Sequence, residues 1–170
     1  MVLRYLREHK EGNARFVFQW GQSTVANDGT IIPIDEDLRQ SDKVTILEQV
    51  LSENEYNTHF QNSDFLALPY RLQTYFNRTS GVMVEAACSG IPVIVTENTW
   101  LSWAMGKYGA GITVKEADPE DLYSKLLYAI ENWKSLTEKA MKMRSIALSQ
   151  HSSESYLQCL WEAGTNGKGS

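Results

Sequence analysis

Ser63 to Thr96 reads SDFLALPYRLQTYFNRTSGVMVEAACSGIPVIVT, and this stretch decides the fold. Phe65-Leu66-Ala67-Leu68 is a short apolar run ending at Pro69, the pattern of a buried parallel strand. A polar, aromatic and basic loop follows, Tyr70 to Arg78. Thr79-Ser80-Gly81 then opens a helix that carries Glu85 on its second turn. Ser89-Gly90 stops that helix before a second apolar run, Ile91-Pro92-Val93-Ile94-Val95. A helix start outside the carboxyl end of a strand offers free backbone N–H groups and a positive dipole end to an anion. A carboxylate one turn further in accepts hydroxyl protons from a polyol. Anion and polyol together point to a nucleotide sugar.

The same alternation runs outward in both directions. Val2-Leu3-Arg4-Tyr5-Leu6-Arg7 has helical spacing and stops at Glu11-Gly12-Asn13. Arg15 to Trp20 reads as a strand. Residues Gln22 to Gln40 are polar and turn-rich, with a tight turn expected at Asn27-Asp28-Gly29 and an extended edge piece at Ile31-Ile32-Pro33-Ile34. Lys43 to Leu47 reads as a second buried strand. Ser52 and Glu55 form a capping-box pattern for a helix running to about Gln61, in which Tyr56 and Phe60 pack as core. Beyond Val95, Asn98-Thr99 caps a helix over Trp100 to Lys107, and Ile112-Thr113-Val114 is a short strand. Asp118-Pro119-Glu120-Asp121 is a strong helix start, followed by the apolar stripe Leu122, Leu126, Leu127 and Ile130. Helices are expected over about Leu136 to Gln150, with a charged run from Lys134 to Arg144 facing solvent, and from Ser152 through Leu160-Trp161. Strands alternating with helices at this spacing predict an α/β fold, a Rossmann-like parallel sheet flanked by helices, with ligands at the carboxyl ends of the strands.

Composition narrows the function classes. The chain has 170 residues, 42% hydrophobic and 22% charged, which suits one globular domain with a real core. A net charge of −5 argues against a nucleic-acid binder, which needs a basic face. No apolar run approaches the roughly 18 residues of a membrane helix, and the N-terminus has no signal-peptide core, so a cytoplasmic chain is expected. Cys88 and Cys159 stand far apart, and His9, His59 and His151 are scattered. Neither a disulfide scaffold nor a metal site is expected from them.

Glu85-Ala86-Ala87-Cys88-Ser89-Gly90-Ile91-Pro92-Val93-Ile94 also resembles a known pattern. It is similar to the donor-binding domain of GT-B fold glycosyltransferases of the retaining family-4 type, where the strand ends in Leu-Pro and the helix carries Glu-Ala-x-Ala-x-Gly-x-Pro-Val-Val. The resemblance covers roughly Val44 to Trp133 and is most specific where the helix joins Gly90-x-Pro92-Val93. It implies transfer of a sugar from a nucleotide-diphosphate sugar to an acceptor held by a separate domain, with a place in polysaccharide biosynthesis. No metal and no other cofactor are expected. It also implies that residues 1–163 are a donor-binding domain without its usual first strand, and that 164–170 are a disordered tail. The acceptor-binding domain, or a partner subunit, is then expected elsewhere, with any peripheral membrane association made through that missing part. The chain alone is expected to be inactive.

The resemblance assigns roles to individual residues. Thr79, Ser80 and Gly81 are expected to hold phosphate, with plain helix capping as the alternative. Arg78 is expected to bind the diphosphate bidentately, with Arg71 as a second candidate; a solvated surface arginine is the alternative for each. Glu85 is expected to accept hydrogen bonds from the ribose. It stands on an otherwise small, apolar helix, where a buried charge would need a partner. The family's acidic contact to the transferred sugar falls at position 77, where this chain has Asn77. Asn77 keeps hydrogen-bonding capacity but brings no charge to an oxocarbenium-like centre. A non-catalytic nucleotide-sugar-binding module, or a subunit of a two-chain glycosyltransferase, is therefore the alternative function. A receiver-type signalling domain is a more distant rival, and the clustered acids it needs are not seen. Trp100 and Trp103, three apart on one helix, are expected to pack in the core, with lining of the sugar or acceptor cleft as the alternative.

Overall fold

Phe16–Gln19 (β1) and Val44–Leu47 (β2) pair in parallel, in a register that sets Phe16 opposite Val44 and Gln19 opposite Leu47. The computed structural model describes residues 1–20, 30, 33–155, 157 and 158, which divide into two units, Met1–Ser63 and Asp64–Ser170. In the first unit, Val2–Glu8 (α1) precedes β1 and buries Val2 and Tyr5. The Tyr5 ring stacks on His9 at 4.9 Å and meets Phe16 edge-on at 5.4 Å, so it ties α1 to β1. Glu36–Arg39 (α2) was hidden by the polar composition of its segment. It is one turn, started by Asp35, whose carboxylate accepts from the Asp37 N–H at 2.9 Å. Glu53–Gln61 (α3) begins with the expected capping box: Ser52 Oγ accepts from the Glu55 N–H, and the Glu55 carboxylate accepts from the Ser52 N–H at 2.8 Å. Phe60 is buried and Tyr56 half-buried.

The second unit is built on three parallel strands in the order β3-β4-β5: Leu66–Leu68 (β3), Val93–Thr96 (β4) and Gly111–Val114 (β5). Leu66 pairs with Val93, and Val93 in turn with Gly111. The crossovers are helical: Leu72–Tyr75 (α4) and Gly81–Ser89 (α5) join β3 to β4, and Trp100–Tyr108 (α6) joins β4 to β5. Pro119–Glu131 (α7) and Trp133–Gln150 (α8) follow. The middle strand is buried along its whole length, and Ile94 centres a cluster with Val114 and Ala129. Burying each of Val93, Ile94 and Val95 contributes about 1.5–3 kcal/mol. That explains why this run has no polar alternation.

Two glycines are demanded by the packing. Gly90 ends α5 with φ 72°, a left-handed cap, and a side chain there would be driven into Met141 of α8. At Gly111 a Cβ would overlap the Val93 carbonyl of the neighbouring strand. Arg144 of α8 donates to the Cys88 carbonyl at 2.9 Å, a second tie between α8 and the end of α5. Asp118 caps α7 as expected, accepting from the Asp121 N–H at 2.9 Å.

The expected fold class is thus observed: α/β, with parallel sheets flanked by helices. The expected turn at Asn27-Asp28-Gly29, the Ile31-Ile32 part of the edge piece, Cys159, the Leu160-Trp161 end of the last helix and the tail all lie outside the described residues. Ser152 does start a helical turn, accepting from the Ser155 N–H at 3.1 Å.

Candidate functional site

The loop from Pro69 to Ser80 leaves the carboxyl end of β3 and delivers the chain to the start of α5. It is more ordered than a polar loop requires. Tyr70 and Tyr75 stack with ring centres 4.4 Å apart, and the Arg78 guanidinium lies 5.7 Å from the centre of the Tyr75 ring. Burial, with the neighbouring Tyr75 second, raises the Tyr70 phenol above its ordinary value. The four-residue α4 inside this loop is fixed by Glu116, whose carboxylate accepts from the Leu72 N–H at 3.0 Å. A signal for the stack was present in Tyr70, Tyr75 and Arg78, but spacing outside a helix says nothing of contact.

Ser80 is the N-cap of α5, 7% exposed, and its Oγ accepts from the Met83 N–H at 3.3 Å. One of its lone pairs is therefore spent on the helix, while its O–H can still donate. Thr79 and Gly81 are exposed on either side. A Cβ at Gly81 would meet only Glu85 Oε1, at 3.9 Å. Gly81 is thus not demanded by packing within the chain; its bareness leaves the first turn of α5 open to a close approach. The same distance puts the Glu85 carboxylate beside the helix start, one turn along the same face.

Glu85 differs from expectation in one respect. It is exposed, because α5 turns its small and apolar residues Met83, Ala86 and Ala87 inward and leaves position 85 on the outer face. Its charge is solvated, so the cost of a buried carboxylate is not what dictates a partner. Arg78, Arg71 and Asn77 are all exposed, and Arg71 starts α4 with its backbone carbonyl accepting from Thr74 and Tyr75. Among the described residues the guanidinium groups of Arg78 and Arg71 form no ion pair, so both are available to an anion. The structure gathers Asn77, Arg78, Thr79, Ser80, Gly81 and Glu85 at one helix start by chain continuity; Arg71 stands at the other end of the same loop.

Trp103 overturns the expectation of core packing. It is 54% exposed, with Trp100 half-buried and its ring centre 6.2 Å away. The inward face of α6 is taken by Leu101, Ala104 and Tyr108, which leaves no room at the core for a second large ring. Among the described residues no group of three or more His, Cys, Asp or Glu could hold a metal ion, and no helix is long and apolar enough to cross a membrane.

No curated protein matches the chain. The family described as glycosyl transferases group 1 matches residues 9–132, well over half of the sequence and all of the loop and helix start just described. The chain belongs to the glycosyl transferases group 1 family.

Proposed function

We propose that the start of α5 binds the nucleotide-diphosphate sugar from which the sugar is transferred. The observation that carries this reading is one helix face that joins an open, glycine-bared N-terminus to a carboxylate one turn on, with Arg78, which forms no ion pair among the described residues, just ahead of the helix start in the chain. Arg78 takes the diphosphate oxygens bidentately, with the free N–H groups of Thr79 to Val82 and the positive helix end behind it, and Arg71 is the second cation. Glu85 accepts from the ribose hydroxyls. Bare phosphate gains nothing from that carboxylate and is repelled by it, so a nucleotide is preferred.

Charge building up on the departing diphosphate is met by these same groups, an electrostatic mechanism that needs neither a metal nor a protein nucleophile. Asn77 holds the transferred sugar by hydrogen bonds alone. The acceptor is held by a separate domain, so this chain does not turn over alone, and retention at the anomeric carbon follows the family pattern rather than any group seen here. The uncharged Asn77 favours one second reading, a non-catalytic nucleotide-sugar-binding module or a subunit of a two-chain enzyme.

Calorimetric titration with UDP, GDP, ADP and their sugars tests the proposal. One nucleotide is expected to bind, with affinity falling about tenfold or more in Glu85→Ala, since a hydrogen bond to a charged group is worth roughly 1.5–3 kcal/mol. Inorganic pyrophosphate should bind Glu85→Ala no more weakly than the parent chain. Equal loss of both ligands would contradict the ribose role.

A further inference from the structure

A recess lies at the carboxyl end of β4, between the loop after that strand and the start of α6. It is an open groove of about 540 Å³, within the roughly 300–1,000 Å³ of small-ligand sites. Phe76, Glu97, Asn98, Trp100 and Trp103 line it, with Thr113 of β5 at its edge. Phe76 and Trp103 are 62% and 54% exposed. Lys107, outside the lining, sits 4.8 Å from the centre of the Trp103 ring and steadies it from its own helix.

The polar groups divide into spent and unspent. Thr99 Oγ1 donates to the Thr96 carbonyl at 2.6 Å and accepts from the Ser102 N–H at 3.3 Å, while Ser102 Oγ donates to the Thr99 carbonyl at 2.8 Å. Glu97 is half-buried, and its carboxylate has no hydrogen bond or ion pair among the described residues. Asn98 is exposed beside it in the left-handed region, φ 59°, with its amide likewise unbonded. No Lys, Arg or His lines the groove. Aromatic faces with a carboxylate and an amide, and no cation, suit a ligand with apolar C–H faces and a rim of hydroxyls. Lys107 is engaged with the Trp103 ring outside the lining, so a nucleotide diphosphate meets no cation among the lining residues and is repelled by Glu97.

We propose that this groove takes one neutral pyranose ring of an acceptor whose remainder the separate domain holds, stacked on Trp103 and Phe76, with Glu97 and Asn98 accepting and donating to its hydroxyls. The inference rests on the donor reading above. Phe76 immediately precedes Asn77, so chain continuity sets the groove beside the loop proposed to hold the transferred sugar.

Tryptophan fluorescence and saturation-transfer NMR on the full chain test this, with methyl α-glucoside, methyl α-mannoside, methyl β-galactoside and N-acetylglucosamine as probes. At least one saccharide is expected to bind, about five- to tenfold more weakly in Trp103→Ala, Phe76→Ala and Glu97→Gln. Lys139→Ala, on an exposed position of α8 outside the groove lining, should leave that binding unchanged. Absence of saccharide binding overturns the proposal, as does binding that none of the three groove variants weakens. Displacement of the saccharide by a nucleotide, or loss of nucleotide binding in Trp103→Ala, assigns the groove to the donor and also overturns it. Nucleotide titration of the same samples separates the two readings. Nucleotide binding without saccharide binding sinks the groove alone, and the reverse sinks the donor site alone.

Discussion

The starts of α5 and α6 are built by the same device on neighbouring strands, yet they present opposite chemistry. Each follows the carboxyl end of a strand and is capped by a buried hydroxyl, Ser80 at 7% and Thr99 at 3% exposure. Each cap oxygen accepts the backbone N–H three residues on, at 3.3 Å in both. What differs is the company. Before α5 stand Arg78 and Thr79, with bare Gly81 after the cap; before α6 stand Glu97 and Asn98, with two tryptophans on the first turns. The helix start therefore does not by itself select a ligand. On the readings proposed above, Arg78 turns the α5 start toward an anion, and Glu97 among aromatic rings turns the α6 start toward an uncharged polyol.

Gly111→Ala should remove the contrast altogether, because both helix starts hang on the β3-β4-β5 register. A Cβ there is forced against the Val93 backbone, which cannot step aside as a side chain can. The expected cost is about 3 kcal/mol, seen as a fall of roughly 6–12 °C in Tm by calorimetry, with both ligands weakened. A chain that kept its Tm would show that the strand pairing at Gly111 tolerates a shift. Arg78→Ala should break the α5 side. Nucleotide affinity is expected to fall about tenfold to a hundredfold, while Tm holds. Ser80→Ala and Thr99→Ala sharpen the comparison. Each removes one cap and should cost about 1 kcal/mol in denaturant unfolding, but only Ser80→Ala should also weaken nucleotide binding.

The smallest effect belongs to the far ends of the two helices. α6 closes with Tyr108, whose ring meets His151 edge-on at 4.7 Å, whereas α5 closes with Gly90. Burial pushes the Tyr108 phenol up to about 12, and its Oη is buried without a hydrogen-bond partner among the described residues. Burial also lowers the His151 pKa below its ordinary 6.5. The unfolded chain then holds the proton over a window just below 6.5 in which the folded chain has lost it. Stability is therefore reduced below that window, rises with pH through it, and is full above it. Denaturant titrations across this range should show a shallow rise that His151→Asn flattens; an unchanged slope would place its origin elsewhere.

Much of this was legible because local rules agreed with one another. The capping box at Ser52 and Glu55, Asp118 with Pro119, and the Gly90 stop each state a boundary in a few residues. The continuous apolar runs at β3 and β4 pointed to parallel strands; β4 is buried throughout, whereas β3 buries only Leu68 and leaves Ala67 exposed. The four-residue helices α2 and α4 escaped because one turn leaves no period to read. Trp103 misled because hydrophobic content says which side chains can be buried, and the crowding by Leu101, Ala104 and Tyr108 decides which are. Glu85 misled in the same way: its neighbours are apolar, but they face inward and it does not. The candidate donor residues were named from the helix start and a family resemblance. The groove at Glu97 was not assembled, since Phe76 from the loop after β3, Trp103 of α6 and Thr113 of β5 meet only once the sheet is folded.

The central claim is that the α5 start is a nucleotide-diphosphate site. Isothermal calorimetry of the chain with UDP, GDP and ADP, in parallel on the parent and on Arg78→Ala, tests it most directly. Saturable binding of one nucleotide by the parent, weakened at least about tenfold by the substitution, is the predicted result. Binding that Arg78→Ala leaves intact, or no binding of any of the three, would contradict it.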